Sequence, residues 1–324
     1  MLQKSGLLLA LTCLCFTTTN VPAPAQNYPT RPIKLVVGFA AGGTTDFMAR
    51  LVADKMKGPL GQPVVVENRT GANGAIGAEF VAKSAADGYT LYFTTAGVAT
   101  VYPHLKPAPY DTLRDFVGVA RVAFNSTMLV VNAATPIRSA RDLAAIARDK
   151  PGKVTIAITG LGSVSHLGAE LFQSAAGIKL VEVPYRGAAP AMTDLLGGTL
   201  DALFGDGPTV ISQIEAGKIR AIAATSHDRS PIFPDVPTFL EQGFTDTVAD
   251  QWAGVLAPVG TPAAIVAKLN AAIAAAMRDP EVRTRLAQTG VVPGLNSPEE
   301  FAAYLKEENE RWSRIIREKG IKAE

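Results

Sequence analysis

The sequence predicts an α/β protein that contains two similar α/β units. Strand-like and helix-like segments alternate along most of the 324 residues. The strand-like segments are continuous apolar runs, which is typical of parallel strands in a sheet covered by helices on both faces. A hydrophobic content of 48% favours a globular chain. The length is sufficient for two domains that each have a core.

The first unit comprises three predicted strands and two predicted helices. The strands are residues 33–37, 64–66 and 91–94. A helix over residues 45–56 is predicted because its apolar residues recur at helical spacing, namely Met48, Leu51, Val52 and Met56. A second helix follows the turn at residues 68–74 and ends near Ala85.

The second unit repeats this pattern in the middle of the chain. The predicted strands are residues 128–131, 155–158, 181–183, 202–204 and 219–223. A helix is predicted after the first of these strands, because Ser139 and Asp142 have the spacing of a capping box.

The last quarter is predicted to be mostly helical. Thr261 is expected to cap a helix with Pro262 in its first position, and its apolar face comprises Ile265, Leu269, Ile273 and Met277. Another helix is expected to start at Asp279-Pro280, and Ser297 to Glu300 form a capping box for the final helix. That helix is lined by Phe301, Leu305, Trp312 and Ile316.

Two glycine-rich turns, at residues 38–46 and 159–166, each end a strand and open a helix. A helix N-terminus exposes backbone N–H groups and a partial positive charge, and glycine allows an anion to approach that backbone closely. Such turns are also common connections between strands and helices in α/β proteins, so a purely structural role remains open for each. Together they indicate a cleft that binds a small anion from two sides.

Catalytic motifs are absent from the sequence. Neither turn gives G-x-G-x-x-G, and the chain has no P-loop and no G-x-S-x-G elbow. A secreted serine hydrolase using Ser163 or Ser165 remains an alternative, although Ser163 fits a helix cap and His166 fits a structural position in the first helical turn. We expect no catalytic residue, no cofactor and no metal, because no His/Asp/Glu cluster is evident.

The N-terminus is typical of a secretory signal. Lys4 precedes a short apolar stretch at residues 6–16, and residues 23–25 form a small-x-small cleavage site. Both cysteines, Cys13 and Cys15, lie inside this leader, so the mature chain offers no disulfide or thiol chemistry. The 31 basic and 29 acidic residues nearly balance, which gives no argument for a nucleic-acid partner. No later stretch is long and apolar enough to span a membrane.

Motifs along nearly the whole mature chain identify a family. Examples are residues 28–33, 42–46, 65–72, 86–91, 162–167, 184–187, 217–221, 234–238, 252–258 and 260–262. With these motifs, the chain resembles the Bug, or TctC-like, periplasmic receptors of tripartite tricarboxylate transporters.

The resemblance implies a two-lobed periplasmic-binding-protein (Venus flytrap) fold, type II-like, with two hinge crossings. It implies a signal peptide at residues 1–25, one lobe of residues 26–126 plus 250–324, and a second lobe of residues 127–249. It also implies a monomeric receptor, without enzymatic activity, that delivers a small carboxylate to an inner-membrane permease. A receptor that signals without a permease remains an alternative.

The ligand-binding residues implied by the matching motifs lie in the two glycine-rich turns and in two further loops. They are Phe39, Ala41, Gly42, Thr44, Thr45, Asp46, Gly160, Gly162, Ser163, Ser165, His166, Tyr185 and Asp206. From the residues alone, Asp46 could instead complement the helix dipole, Asp206 could instead shape a turn, and Tyr185 could be a core or hinge residue. Relatives often read Pro-Phe-Pro-Pro-Gly-Gly in the first turn, whereas this chain reads Gly-Phe-Ala-Ala-Gly-Gly from Gly38. The loss of three prolines loosens the free loop and provides additional backbone N–H groups.

Overall fold

The computed structural model describes residues 27–158, 163–185, 188–230 and 232–321. Within them the strands form two separate sheets, one of six strands and one of five. Each sheet with its helices is called a lobe below. The expected leader at residues 1–25 lies outside the described residues.

The six-stranded sheet of the first lobe combines parallel and antiparallel strands. In spatial order it comprises β11 (Val292–Pro293), β4 (Phe116–Asn125), β10 (Gln251–Pro258), β3 (Thr90–Thr95), β1 (Ile33–Val37) and β2 (Val64–Asn68). Strand β1 pairs in parallel with β2 and β3. Strand β10 runs antiparallel to both β3 and β4, so it joins the N-terminal and C-terminal parts of the chain.

The five-stranded sheet of the second lobe is also mixed. In spatial order it comprises β7 (Val181–Pro184), β6 (Thr155–Ile158), β8 (Ala202–Asp206), β5 (Thr127–Asn132) and β9 (Ile219–Ala224). Strand β6 is parallel to β7 and β8, whereas β5 is antiparallel to β8 and β9.

The expectation of parallel sheets was therefore wrong for part of each lobe. Continuous apolar runs indicate burial on both faces, but they do not distinguish a parallel strand from a buried antiparallel one. The expectation of a mostly helical last quarter also missed β10 and β11. Strand β10 is buried along almost its whole length because helices cover the sheet there, so it shows no alternation of polar and apolar residues.

The helices lie between the strands in chain order. The first lobe contains α1 (Thr44–Leu60), α2 (Ala75–Ala82), α3 (Tyr102–Leu105), α4 (Thr112–Asp115), α9 (Ala263–Arg278), α10 (Pro280–Ala287) and α11 (Pro298–Lys319). The second contains α5 (Ala140–Asp149), α6 (Val164–Ala176), α7 (Ala188–Gly197) and α8 (Gly207–Glu215). Short 3₁₀ and π segments occupy Ala72–Gly74 and Gly97–Val101.

Several predicted helix ends are confirmed. Ser139 and Ser297 each form a capping box, and the Asp279 side chain accepts hydrogen bonds from the first turn of α10. The predicted Thr261 cap was wrong, because its Oγ1 donates to the Pro258 carbonyl and α9 begins only after Pro262. The helix that was expected to end near Ala85 ends three residues earlier, at Ala82.

Each sheet is buried against its own helices. In the first lobe, α1 and α9 pack on one face, where Leu35, Met56 and Leu269 are fully or nearly fully buried. In the second lobe, Phe172 of α6 packs against Phe239 at a ring-centroid distance of 5.0 Å. A further cluster of buried residues includes both lobes, because Leu167 and Leu171 of α6 belong to it together with Tyr92 and Trp252 of the first lobe.

The chain passes between the sheets twice. Strand β4 ends at Asn125 and β5 begins at Thr127; later, β9 ends at Ala224 and β10 begins at Gln251. The two passages are adjacent, since Asn125 and Gln251 are paired across β4 and β10. Two adjacent crossings between lobes permit a hinge motion.

Asp250 precedes β10 at the second passage, and we expect its substitution by asparagine to change the pH dependence of stability. Burial raises the pKa of Asp250 to about 6, with Glu308 adding to the rise and Arg311 opposing it. The folded state therefore favours the protonated acid. Its contribution to the free energy of unfolding is fully present below about pH 4 and is lost as the pH rises through 6. Asp250→Asn should exceed wild type in free energy of unfolding by up to about 3 kcal/mol at pH 7.5, and by less at pH 4.5.

Urea unfolding at both pH values measures this difference. Asp54→Asn, on the exposed face of α1, is the matched control and should leave the pH dependence unchanged. If the free energies of unfolding of wild type and Asp250→Asn differ by the same amount at both pH values, the raised pKa of Asp250 is contradicted.

Candidate ligand-binding site

A cavity of about 740 Å³ lies between the two lobes and is lined by residues of both. The lining residues are Phe39, Gly42, Gly43, Thr44, Thr45, Phe47, Thr127, Ser163, Val164, Ser165, Ala188, Ala189, Phe204, Gly205, Asp206, Thr209, Gln251 and Thr289. The volume falls within the roughly 300–1,000 Å³ that is usual for small-molecule pockets. Asp206 is the one charged side chain among these residues of the described chain.

The first glycine turn leads from β1 into α1 at the cavity wall. Gly42 adopts φ +84°, a left-handed conformation that L-residues with a Cβ adopt at a cost. Gly43 is the N-cap residue and has no side chain to cap the helix. Thr44 and Thr45 begin α1 and line the cavity, so the first backbone N–H groups of this helix lie at the cavity wall. This helix end offers donors and a partial positive charge to a ligand.

Asp46 lies behind this turn and does not line the cavity. Its Oδ2 accepts from the Gly42 N–H at 2.9 Å and from Arg50 Nε at 2.9 Å, and its Oδ1 accepts from Asn68 Nδ2 at 2.8 Å. Burial alone would raise its pKa, but these hydrogen bonds outweigh burial and lower the pKa to about 2. Asn68 Nδ2 also donates to the Phe39 carbonyl at 2.9 Å. Through these hydrogen bonds, Asp46 stabilises the conformation of the turn.

The second glycine turn lies only partly in the described chain. Gly160 and Gly162 lie outside the described residues. Ser163 is the N-cap residue of α6, and its Oγ accepts from the His166 N–H at 3.3 Å. Ser163 Oγ and Ser165 Oγ are 2.8 Å apart, and both residues line the cavity. The N-terminus of α6 thus reaches the same cavity as the N-terminus of α1.

Asp206 lies at the end of β8, where α8 begins. Its side chain lines the cavity, and its Oδ1 accepts from Thr209 Oγ1 at 2.8 Å. Burial raises the pKa of Asp206, although the hydrogen bonds with Thr209 oppose the rise. Gln251 also lines the cavity, and its buried Oε1 has no hydrogen-bond partner among the residues that the structure describes. Both side chains can therefore accept a hydrogen bond from a ligand.

Apart from Gly160 and Gly162, which lie outside the described residues, the expected site residues fall into two groups. Those that line the cavity are Phe39, Gly42, Thr44, Thr45, Ser163, Ser165 and Asp206. Those placed outside its lining are Ala41, Asp46, His166 and Tyr185. The Tyr185 hydroxyl donates to Asp194 Oδ2 at 2.6 Å, a hydrogen bond that raises the pKa of Tyr185.

Several residues of the cavity wall were not predicted from the sequence. Thr127 and Gln251 lie at the passages between the sheets, and Thr289 follows α10. The sequence offered no signal for them, because they reach the cavity through antiparallel strands and a helix end from distant parts of the chain. Phe204 and Gly205 do carry a signal, since they precede Asp206 at the end of a strand.

The expectation that no His/Asp/Glu cluster exists was wrong. His166, Glu170 and Glu182 each place a ligand atom within 4.8 Å of the others. His166 and Glu170 are one turn apart on α6, whereas Glu182 comes from β7. Sequence inspection for paired histidines did not reveal this set, because its third member is brought in by the fold.

No described helix combines the length and the apolar character that crossing a membrane would require.

Comparison with known proteins identifies the fold and the family. The model of the tripartite tricarboxylate transporter family receptor, TctC, matches residues 48–321. The chain is 40% identical to Protein BugT of Bordetella pertussis over 97% of this chain and 98% of that protein.

Two solved structures share this fold. Rhodopseudomonas palustris Rpa4515 with adipate superposes with a TM-score of 0.82 at 36% identity, covering 91% of this chain and 99% of that one. MatC from Rhodopseudomonas palustris with bound malate gives a TM-score of 0.79 at 32% identity, covering 89% and 100%.

These matches extend over both lobes. They confirm the predicted two-lobed fold of periplasmic binding proteins. The family consists of solute-binding receptors rather than enzymes. The chain belongs to the Bug, or TctC-like, family of periplasmic receptors of tripartite tricarboxylate transporters.

Proposed function

We propose that this receptor captures one small mono- or dicarboxylate in the cavity between its lobes and delivers it to a tripartite tricarboxylate-type permease. The observation that carries the proposal is the meeting of two helix N-termini, those of α1 and α6, at one cavity. No lysine or arginine is among the described lining residues. An anion would therefore be bound by backbone N–H groups, helix dipoles and hydroxyl groups.

The two lobes would contribute different donors to the ligand. The first lobe would offer the backbone N–H groups at the start of α1 with the hydroxyls of Thr44 and Thr45. The second lobe would offer Ser163 and Ser165, together with Gly160 and Gly162 of the turn before them. A phosphate commonly recruits arginine, so this donor set fits a carboxylate better.

Asp206 and Gln251 would recognise the remainder of the ligand. Both are hydrogen-bond acceptors in the cavity wall, so a ligand with a hydroxyl or amino group would satisfy them. The malate bound by MatC carries a hydroxyl and the adipate bound by Rpa4515 does not. We therefore favour a hydroxy acid or an amino acid over a plain dicarboxylate.

The proposed receptor acts as a monomer in the periplasm. We propose that residues 1–25 are removed after export, with cleavage near Ala25. The lobes would divide at residues 126/127 and 249/250, next to the two passages between the sheets. Co-purification with an inner-membrane permease would support delivery, and co-purification with a sensor alone would favour a signalling receptor.

A thermal-shift screen of the mature protein tests the ligand class. Carboxylates with and without a hydroxyl or amino group are compared with phosphates and sugars at equal concentration. A ligand at 100 times its Kd should add about 2.7 kcal/mol to the free energy of unfolding, so the melting temperature should rise by several degrees. Stabilisation by phosphates or sugars with none by any carboxylate would show that the proposal is wrong.

A further inference from the structure

We propose that His166, Glu170 and Glu182 form a divalent metal site, suited to Zn²⁺, that joins helix α6 to the edge strand β7. The site is distinct from the cavity lining and does not depend on the identity of the solute.

The three side chains converge on one point. His166 Nε2 lies 3.4 Å from Glu182 Oε2 and 3.9 Å from Glu170 Oε1. Ligand atoms of a tetrahedral zinc ion lie roughly 3.4 Å apart, given metal–ligand distances near 2.1 Å. All three ligand atoms lie within 4.8 Å of one another, so side-chain rotations that move them by up to about 1.4 Å would complete the geometry. One imidazole and two carboxylates leave a fourth position for water.

The negative charges of Glu170 and Glu182 favour the binding of a cation. Within the described chain, the one Lys, Arg or His nitrogen within 4.0 Å of either carboxylate belongs to His166. The His166 side chain is 3% exposed, and those of Glu182 and Glu170 are 19% and 34% exposed, so water screens the two carboxylates only in part. Two carboxylates in a partly dry environment are costly without a bound positive charge.

A supporting hydrogen bond orients one of the carboxylates. Gln173 Nε2 donates to Glu182 Oε1 at 2.9 Å, and Gln173 Oε1 accepts from the Leu180 N–H at 2.7 Å. Glu182 therefore has one oxygen fixed by Gln173 and presents the other to His166. Metal ligands are commonly held in this way by hydrogen bonds from neighbouring residues.

Imidazole nitrogen favours zinc over the harder ions magnesium and calcium, which prefer oxygen ligands. A metal here would link the first two turns of α6 to β7, at the edge of the second sheet. Because Ser163 and Ser165 precede or share that first turn, the ion would also brace the helix end that lines the cavity.

The test measures zinc binding by the mature, untagged protein after treatment with EDTA and dialysis. ZnCl₂ is titrated calorimetrically, and bound zinc is counted by elemental analysis after gel filtration. Wild type should bind one equivalent and gain thermal stability. Glu182→Gln and Glu170→Gln should each weaken binding about tenfold or more. Gln at position 182 still offers an acceptor to Gln173, so this variant should remain folded.

Glu215→Gln, an exposed position on α8, is the matched control and should bind zinc as wild type does. Circular dichroism establishes that each variant is folded. Failure of wild type to bind one equivalent would overturn the proposal, as would equal binding by wild type and Glu182→Gln. Neither result bears on the carboxylate screen, so failure of the metal site and failure of the proposed solute class are distinguishable.

Discussion

Gly42→Asp is expected to weaken binding of the recognised carboxylate about tenfold or more. Gly42 lines the cavity beside the N-terminus of α1, and apart from its chain neighbours no atom of the described residues lies within 4 Å of the position that a new Cβ would occupy. The added carboxylate would therefore fit the open space and place a negative charge where the ligand's charge is expected. Tenfold corresponds to about 1.4 kcal/mol, a modest cost for two like charges at short distance.

Gly42→Asn is the matched control, because asparagine has nearly the same size without the charge. Asparagine and aspartate both tolerate positive φ better than other residues, so the strain at φ +84° is similar in the two variants. Calorimetry with the ligand identified by the thermal-shift screen compares them. Equal affinities for Gly42→Asp and Gly42→Asn would exclude an electrostatic role for this turn.

Gly207→Ala is expected to weaken binding without any contact with the ligand. A Cβ on Gly207 would lie 2.6 Å from the Thr289 carbonyl oxygen and 2.8 Å from Gly290 Cα. Gly207 begins α8 in the second lobe, whereas Thr289 and Gly290 follow α10 in the first. These are backbone atoms, which cannot move as a flexible side chain does, so the lobes must separate. Overpacking of this kind costs about 1–3 kcal/mol, equivalent to a loss of affinity of about fivefold to more than a hundredfold.

Gly197→Ala provides the control for this substitution. Gly197 ends α7 in the same lobe, and a Cβ there would meet no atom within 4 Å. Calorimetry should show wild-type affinity for Gly197→Ala and reduced affinity for Gly207→Ala. Wild-type affinity in both variants would mean that the contact between Gly207 and Gly290 has no part in binding.

Local signals in the sequence were sufficient to predict most helices and strands. Ser139 and Ser297 cap their helices as predicted, since capping depends on residues three apart in the chain. The strands at Ile33–Val37 and Thr155–Ile158 have the predicted bounds. Strand direction could not be predicted, because β5 and β10 are largely apolar and the strands that pair with them are distant in sequence.

The cavity, too, was predicted only where local sequence determines it. The start of α1 and the start of α6 were predicted to lie at one cleft, and residues of both line the cavity. Gln251 could not be predicted, because it enters the wall through β10, which the sequence did not reveal as a strand. The interactions of Asp46 with Asn68, and of His166 with Glu182, likewise depend on tertiary packing rather than on local pattern.

Small-angle X-ray scattering of the mature protein, with and without its carboxylate, tests most directly whether both lobes grip the ligand. A ligand bound from two lobes favours the closed arrangement, because only that arrangement brings the donors of α1 and α6 to one molecule. The radius of gyration should decrease on addition of saturating carboxylate, and should decrease less for Gly207→Ala. Scattering profiles that are identical with and without ligand, at a concentration where calorimetry shows saturation, would contradict this account.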